Sequence, residues 1–209
     1  MRRDLCHMQK VIYFDLDGTI LDVWNRYWQV HFILSKRANL KPIHFAKYRR
    51  LKRQRFDEYT YFKKVFSKEK YLKLKRSLLE ELVYLKLDSP DNRVMAVIEK
   101  ISKGRKIGLL TYRRSRRNLL AQLENCGIIG YFNPVININP AESDKKSYLK
   151  LKASVYLGDT QDDIKDAKEA NVVAVGCSWG LVHPSILSLA KPDYLVKNPR
   201  ELLKILHYD

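Results

Sequence analysis

The sequence predicts an α/β fold: a parallel sheet flanked by helices, with an all-helical segment inserted near its start. Three observations predict it. From residue 90 onward, short apolar runs rich in β-branched and aromatic residues alternate with helical stretches, as a parallel sheet requires. Two apolar runs, at 11–14 and 155–157, end on loops of glycine and aspartate, where open α/β sheets place their ligand sites. And no glycine occurs between Gly18 and Gly104, with Pro42 and Pro90 the only prolines there, a composition that favours helices.

The elements follow in order. Residues 11–14 read as a buried strand. It runs into Asp15-Leu16-Asp17-Gly18-Thr19, where glycine permits backbone angles that a side chain resists. A lone Asp-x-Asp-Gly equally suits a surface turn. The later Gly158-Asp159-Thr160-Gln161-Asp162-Asp163 repeats the grammar of apolar run, glycine and carboxylates, and weakens that reading. In the insert, Trp24, Tyr27, Trp28 and His31 share one helical face, and Tyr59, Phe62 and Phe66 share another. Tyr71, Leu74, Leu78, Leu82 and Leu85 recur at three- and four-residue steps, a strong amphipathic pattern. The segment 23–87 is expected to be a bundle of about four helices. Ser89-Pro90 reads as the hinge back, with Asp91 or Asn92 capping the next helix. Helices are then expected at 94–101, 115–125, 146–151, 161–170 and 200–207. Strands are expected at 106–110, 135–138, 154–157, 172–175 and 194–196.

Composition bounds the function. The 209 residues allow one moderate domain or a domain with an inserted module. No apolar run has membrane-spanning length, and the basic start lacks the apolar stretch of a signal peptide; the expected location is cytoplasmic. Met8 is an alternative start. Cys6, Cys126 and Cys177 are scattered and odd in number, which suits free thiols in a reducing compartment. The five histidines form no zinc pattern. The formal net charge is +17. Between Asp22 and Pro90 stand 18 Lys/Arg against 7 Asp/Glu, so most of the excess lies in the insert.

Taken in order, these motifs resemble those of the haloacid dehalogenase-like (HAD) superfamily of phosphohydrolases, and in particular its phosphoglycolate phosphatase-like group. Asp15-Leu16-Asp17-Gly18-Thr19 is similar to the family's first motif, Thr111 after an apolar run to the second, Lys145 or Lys146 to the third, and Gly158-Asp159-Thr160-Gln161-Asp162-Asp163 to the fourth. Three departures stand out. The motif-three lysine is not followed by proline, the stretch from it to Gly158 is short, and Tyr112 replaces the Asn or small residue usual after the threonine. The resemblance implies a Rossmann-like sheet in the order 5-4-1-2-3, a core of residues 1–21 and 90–209, and a helical C1 cap of residues 22–89 that closes over the site and carries much of the substrate choice.

It also implies roles. Asp15 would be the nucleophile, since carboxylates can form aspartyl-phosphate intermediates. Asp17 would protonate the leaving oxygen and then activate water; family members that attack carbon lack this second aspartate. Asp15, the backbone carbonyl of Asp17, Asp159 and Asp163 would hold Mg²⁺, a hard cation suited to oxygen ligands. Asp162 is the alternative to Asp163, and Lys146 to the preferred Lys145. Thr111, the N–H of Tyr112 and Lys145 would hold the phosphate. Arg113 or Arg114 could reach a second anionic group. The expected activity is hydrolysis of a small phosphorylated metabolite. The basic run Lys47-Tyr48-Arg49-Arg50-Leu51-Lys52-Arg53-Gln54-Arg55 keeps nucleic acid as an alternative partner, and a binding protein with the same fold as a third reading. A phosphomutase would share the aspartate pair.

Overall fold

A computed structural model describes residues 11–139 and 142–206. Cys6, His7, Met8, His207 and the end of the expected last helix lie outside those residues. The chain runs through β1 (Val11–Phe14) and β2 (Leu21–Asp22) into five helices: α1 (Trp24–Arg37), α2 (Phe45–Arg53), α3 (Tyr59–Phe62), α4 (Lys68–Leu79) and α5 (Leu82–Leu85). It returns through β3 (Ser89–Pro90). Then come α6 (Asn92–Ser102), β4 (Ile107–Tyr112), α7 (Arg116–Asn125), β5 (Val135–Ile138) and α8 (Lys145–Lys152). The remainder is β6 (Ala153–Gly158), α9 (Gln161–Glu169), β7 (Val173–Cys177), α10 (Pro184–Leu187), β8 (Tyr194–Val196) and α11 (Glu201–Ile205).

Six strands form one sheet in the order β5-β4-β1-β6-β7-β8, all parallel. Counting the sheet strands along the chain, this is the expected 5-4-1-2-3 read from the other edge, with a sixth strand added beyond the fifth. Side chains alternate across a strand, and here both faces are covered. Ile12, Phe14, Leu109 and Leu157 join a core with α6, α7 and α11. Tyr13, Leu110, Tyr156 and Ala174 join another with α8, α9 and α10. Burial on both faces is why these strands read as continuous apolar runs. The central β1 lies between β4 and β6, so residues leaving its end have neighbours on both sides.

The insert has its own core, in which Val30, Leu34, Phe62, Phe66, Tyr71 and Leu78 pack together. Phe62 stacks on Tyr71 with centroids 5.2 Å apart. The expected long helix through Tyr71–Leu85 divides at Glu80 and Glu81. Glu81 is extended. The Glu80 carboxylate accepts the N–H groups of Arg114 and Ser115, and its carbonyl accepts from Asn118 Nδ2. Capping the start of α7 thus overrides the local periodicity. Entry and exit of the insert lie side by side, since β2 and β3 pair antiparallel. Asp91, rather than Asn92, caps α6.

The insert is tied to the sheet's ligand end. Arg53 donates to the carbonyls of Ser178 and Gly180 at 3.1 and 2.9 Å, and its own carbonyl accepts the N–H of His183. Arg55 donates to Gln161 at 2.6 Å. Part of the basic run therefore binds the core. Among the described residues no helix is long and apolar enough to cross a membrane.

Candidate active site

The site begins where β1 ends. The N–H of Asp15 donates to Leu157 at 2.8 Å, extending the β1–β6 ladder by one residue and setting Asp15 beside Asp159. Gly18 follows with φ of 78°, a left-handed angle that glycine adopts freely. A Cβ there, or at Gly180, would collide with the Asp159 carboxylate; both glycines let the backbone close around it.

Asp15, Asp159 and Asp163 converge, each offering an oxygen within 4.8 Å of the others, and all three are buried. Asp163 sits in the first turn of α9, locked by a reciprocal cap with Thr160, whose hydroxyl donates to it at 2.6 Å. Asp162 stays out of this cluster: its side chain is 76% exposed and lies near Arg55 at the cavity's rim. Of the two lysines, Lys145 enters the site. Its Nζ lies 2.7 Å from both Asp15 Oδ1 and Asp163 Oδ1 and 2.6 Å from Tyr156 Oη. Lys146 instead pairs with the exposed Glu169.

The charges do not balance. Three buried carboxylates face one ammonium, leaving two negative charges without a counterion among the described residues. Asp159 has the N–H of Leu181 and a long bond from Thr19. Burial, then the carboxylates of Asp163 and Asp15, push its pKa well above the usual carboxylate range. Burial also lifts Asp15 to about 6, with Lys145 opposing and Asp163 adding to the rise. An all-oxygen donor set short of two positive charges fits a hard divalent cation.

Asp17 is placed differently. Arg113 grips both its oxygens, at 2.6 and 2.9 Å, and Arg26 reaches Oδ2 at 2.6 Å. Burial alone would raise its pKa; the two guanidiniums overcome that and hold it well below the carboxylate range. Asp17 is thus held as an ion-paired carboxylate. Arg26 also holds Asp88 at 3.1 Å, Gln122 donates to Asp88 at 2.6 Å, and Arg113 donates to Gln122 at 3.3 Å. A closed ring of five side chains therefore joins the loop after β1, the first helix of the insert, the hinge and the helix after β4. Arg113 faces Asp17, and Arg114 contributes its N–H to Glu80.

Thr111 and Tyr112, at the end of β4, line a cavity of about 330 Å³ with Asp15, Asp17, Arg113 and Lys145. Lys145 lies 4.8 Å over the Tyr112 ring. Arg26, Tyr27 and Arg76 of the insert close it from above. The sequence reading overlooked Arg26, Tyr156, Thr160 and Gln122. Thr160 carried a usable sign, the Thr-x-x-Asp spacing of a helix cap. Arg26 is one basic residue among many in the insert and carried none.

Comparison with known proteins agrees with this geometry. Residues 12–177 match the family model described as haloacid dehalogenase-like hydrolase. A phosphoglycolate phosphatase of Synechococcus elongatus is 29% identical over 106 residues, 47% of this chain and 50% of that protein; the match spans about half that relative's length. A protein of Caldanaerobacter subterraneus provisionally named pyrophosphatase PpaX is 27% identical over 93% of both chains. A solved structure from Streptococcus pneumoniae, the haloacid dehalogenase-like protein SP0104, superimposes with TM-score 0.78 at 18% identity, covering 95% of this chain and 98% of its own. At that identity the likeness concerns the fold.

Proposed function

This chain belongs to the haloacid dehalogenase-like hydrolases, and on that premise we propose that it is a Mg²⁺-dependent phosphatase of a small phosphate monoester. The observation that carries the proposal is the buried charge imbalance. Asp15, Asp159 and Asp163 share one ammonium, that of Lys145, which calls for a divalent cation beside a carboxylate nucleophile. Asp15, Asp159 and Asp163 would hold the ion, with the backbone carbonyl of Asp17. When bound, it supplies charge to the phosphoryl oxygens and lowers the repulsion met by an attacking carboxylate.

The chain's own residues account for the rest. Lys145 orients Asp15 and, with Thr111 and the N–H of Tyr112, holds the phosphate oxygens. Asp15 attacks phosphorus, the bond to the leaving oxygen breaks, and an aspartyl phosphate results. Charge developing on the leaving oxygen faces Arg113 and Arg26. Asp17, having taken up a proton from solvent, gives it to the leaving oxygen as the bond to phosphorus breaks. In its ionised form it is the base that takes a proton from water in the second half-reaction, which frees Asp15. Residues 22–89 serve as the cap over this site, and 1–21 with 90–209 as its catalytic core. The relatives' names, phosphoglycolate phosphatase and pyrophosphatase, set the substrate range to begin with.

The test is phosphate release with Mg²⁺ from phosphoglycolate, pyrophosphate, sugar phosphates, nucleotides and 3′- and 5′-phosphorylated oligonucleotides. Release from a small ester, abolished by EDTA and by Asp15→Asn, is expected. Release from oligonucleotides alone would transfer the reading to nucleic-acid ends. No release from any substrate would favour a binding protein.

A further inference from the structure

A second cavity, of about 320 Å³, adjoins the catalytic one. Tyr27, Thr160, Asp162 and Leu181 line both. Beyond these shared walls it is lined by Lys52, Arg55 and Phe56, from the end of α2 and the turn after it, and by Val182. Together the two cavities offer far more room than an ester with a two-carbon leaving group would fill, and the added part is aromatic and cationic.

Lys52 is unlike the other cations near the site. Arg26 and Arg113 are matched by Asp17 and Asp88, and Lys145 by Asp15 and Asp163. Arg55 has Gln161 and Asp162. Arg76 also lacks a carboxylate partner among the described residues, but it is exposed, so water solvates it. Lys52 is partly buried. Its ammonium lies 5.2 Å over the Tyr27 ring, and no described carboxylate is within ion-pair distance. The nearby Glu58 is taken by Lys75 and His31. Burial first, then the like charge of Lys75, lowers the pKa of Lys52 to about 8. Glu58, shared with Lys75 and His31, offsets this only in part; a cation partly removed from water without a contact ion pair is unfavourable, and an anion entering the cavity would relieve it.

We propose that the leaving group of the substrate extends past Tyr27 into this second cavity and ends in an anionic group, a carboxylate or a phosphate, held by Lys52. This rests on the phosphatase reading and adds a length and a charge to it. Recognition would combine the Lys52 ammonium with contact of the leaving group's body against Tyr27 and Phe56.

The experiment compares ω-carboxyalkyl phosphates with alkyl phosphates of matched length, over a series of tethers. The ratio of kcat/KM, carboxylated over plain, should rise with tether length to about tenfold or more, the worth of one charge-assisted hydrogen bond. Lys52→Met should bring that ratio to about one, and Lys52→Arg should restore most of it; a merely structural lysine would lower both esters together and leave the ratio alone. A ratio flat near one across the series, or unmoved in Lys52→Met, overturns the proposal. A calorimetric arm uses ω-carboxyalkyl and alkyl phosphonates, which cannot be hydrolysed. Lys52-dependent preference for the carboxylated phosphonate, without turnover of any ester, would uphold the anion site and sink the phosphatase reading. Turnover without that preference would do the reverse.

Discussion

Asp159 shows how function and stability oppose each other at single residues. It is wholly buried, touches no cation among the described residues, and stands beside two further carboxylates. Without metal it is a source of repulsion. Asp159→Asn should therefore raise the melting temperature of the EDTA-treated protein by about 2–8 °C, the span expected for relieving one uncompensated buried charge. The same change should remove the stabilisation that Mg²⁺ gives the wild type. A thermal melt with and without EDTA reads both, and a lower melting temperature in the metal-free variant would contradict the charge imbalance. Which residues meet was legible where the partners lie at strand ends, because topology brings Asp15, Thr111 and Asp159 together. It was not legible for Arg26, whose partners Leu79 and Asp88 lie 53 and 62 residues away. Nor did the sequence disclose that Arg113 would face Asp17, since one loop torsion decides between inward and outward.

The helices of the insert are held by a polar knot as much as by apolar packing. Glu58, on the turn before α3, accepts from His31 of α1 at 2.9 Å, from Lys75 of α4 and from Tyr48 of α2. Burial would raise its pKa, but Lys75 and His31 overcome this and bring it to about 2 from 4.5. A folded-state pKa below the unfolded one stabilises above the unfolded value and is lost as pH falls through the folded one. The insert should thus lose about 3 kcal/mol as pH drops from about 4.5 to about 2. Amide exchange in α1, α2 and α4 should quicken over that window, and Glu58→Gln should flatten the dependence. Equal acid slopes in wild type and variant would remove Glu58 from the account. The helical nature of this segment was plain from its lack of glycine and its spacing of aromatics. The break at Glu80–Glu81 was not, because its cause is the start of α7, a partner far along the chain.

At the scale of the molecule, charge is distributed unevenly. The net +17 is concentrated in the insert. Arg53 and Arg55 bind the core, while Lys47, Arg49, Arg50, Lys63 and Lys64 remain exposed. If the proposed phosphatase reading holds, this positive insert should speed encounter with a dianionic substrate. Hence kcat/KM should fall several-fold between about 20 and 200 mM KCl while kcat stays constant, as screening shortens the field to below about 8 Å. A salt-independent kcat/KM would show the cap's charge to be irrelevant to capture. The alternation of strands and helices made the sheet readable in advance, and its sixth strand was visible as a short run whose place at the edge was not. The paired strands at the hinge carry a different consequence. Leu21 lies opposite Pro90, and Asp22 opposite Ser89, so the whole insert occupies the loop of a hairpin. Such a loop can lengthen or shorten at small entropic cost without moving the strands that frame it. Reaction and selectivity are then separable inheritances. One insert could be traded for another while the sheet kept its chemistry, provided Val23 and Trp24, which belong to the sheet's own core, and Arg26, which holds Asp17, stayed behind.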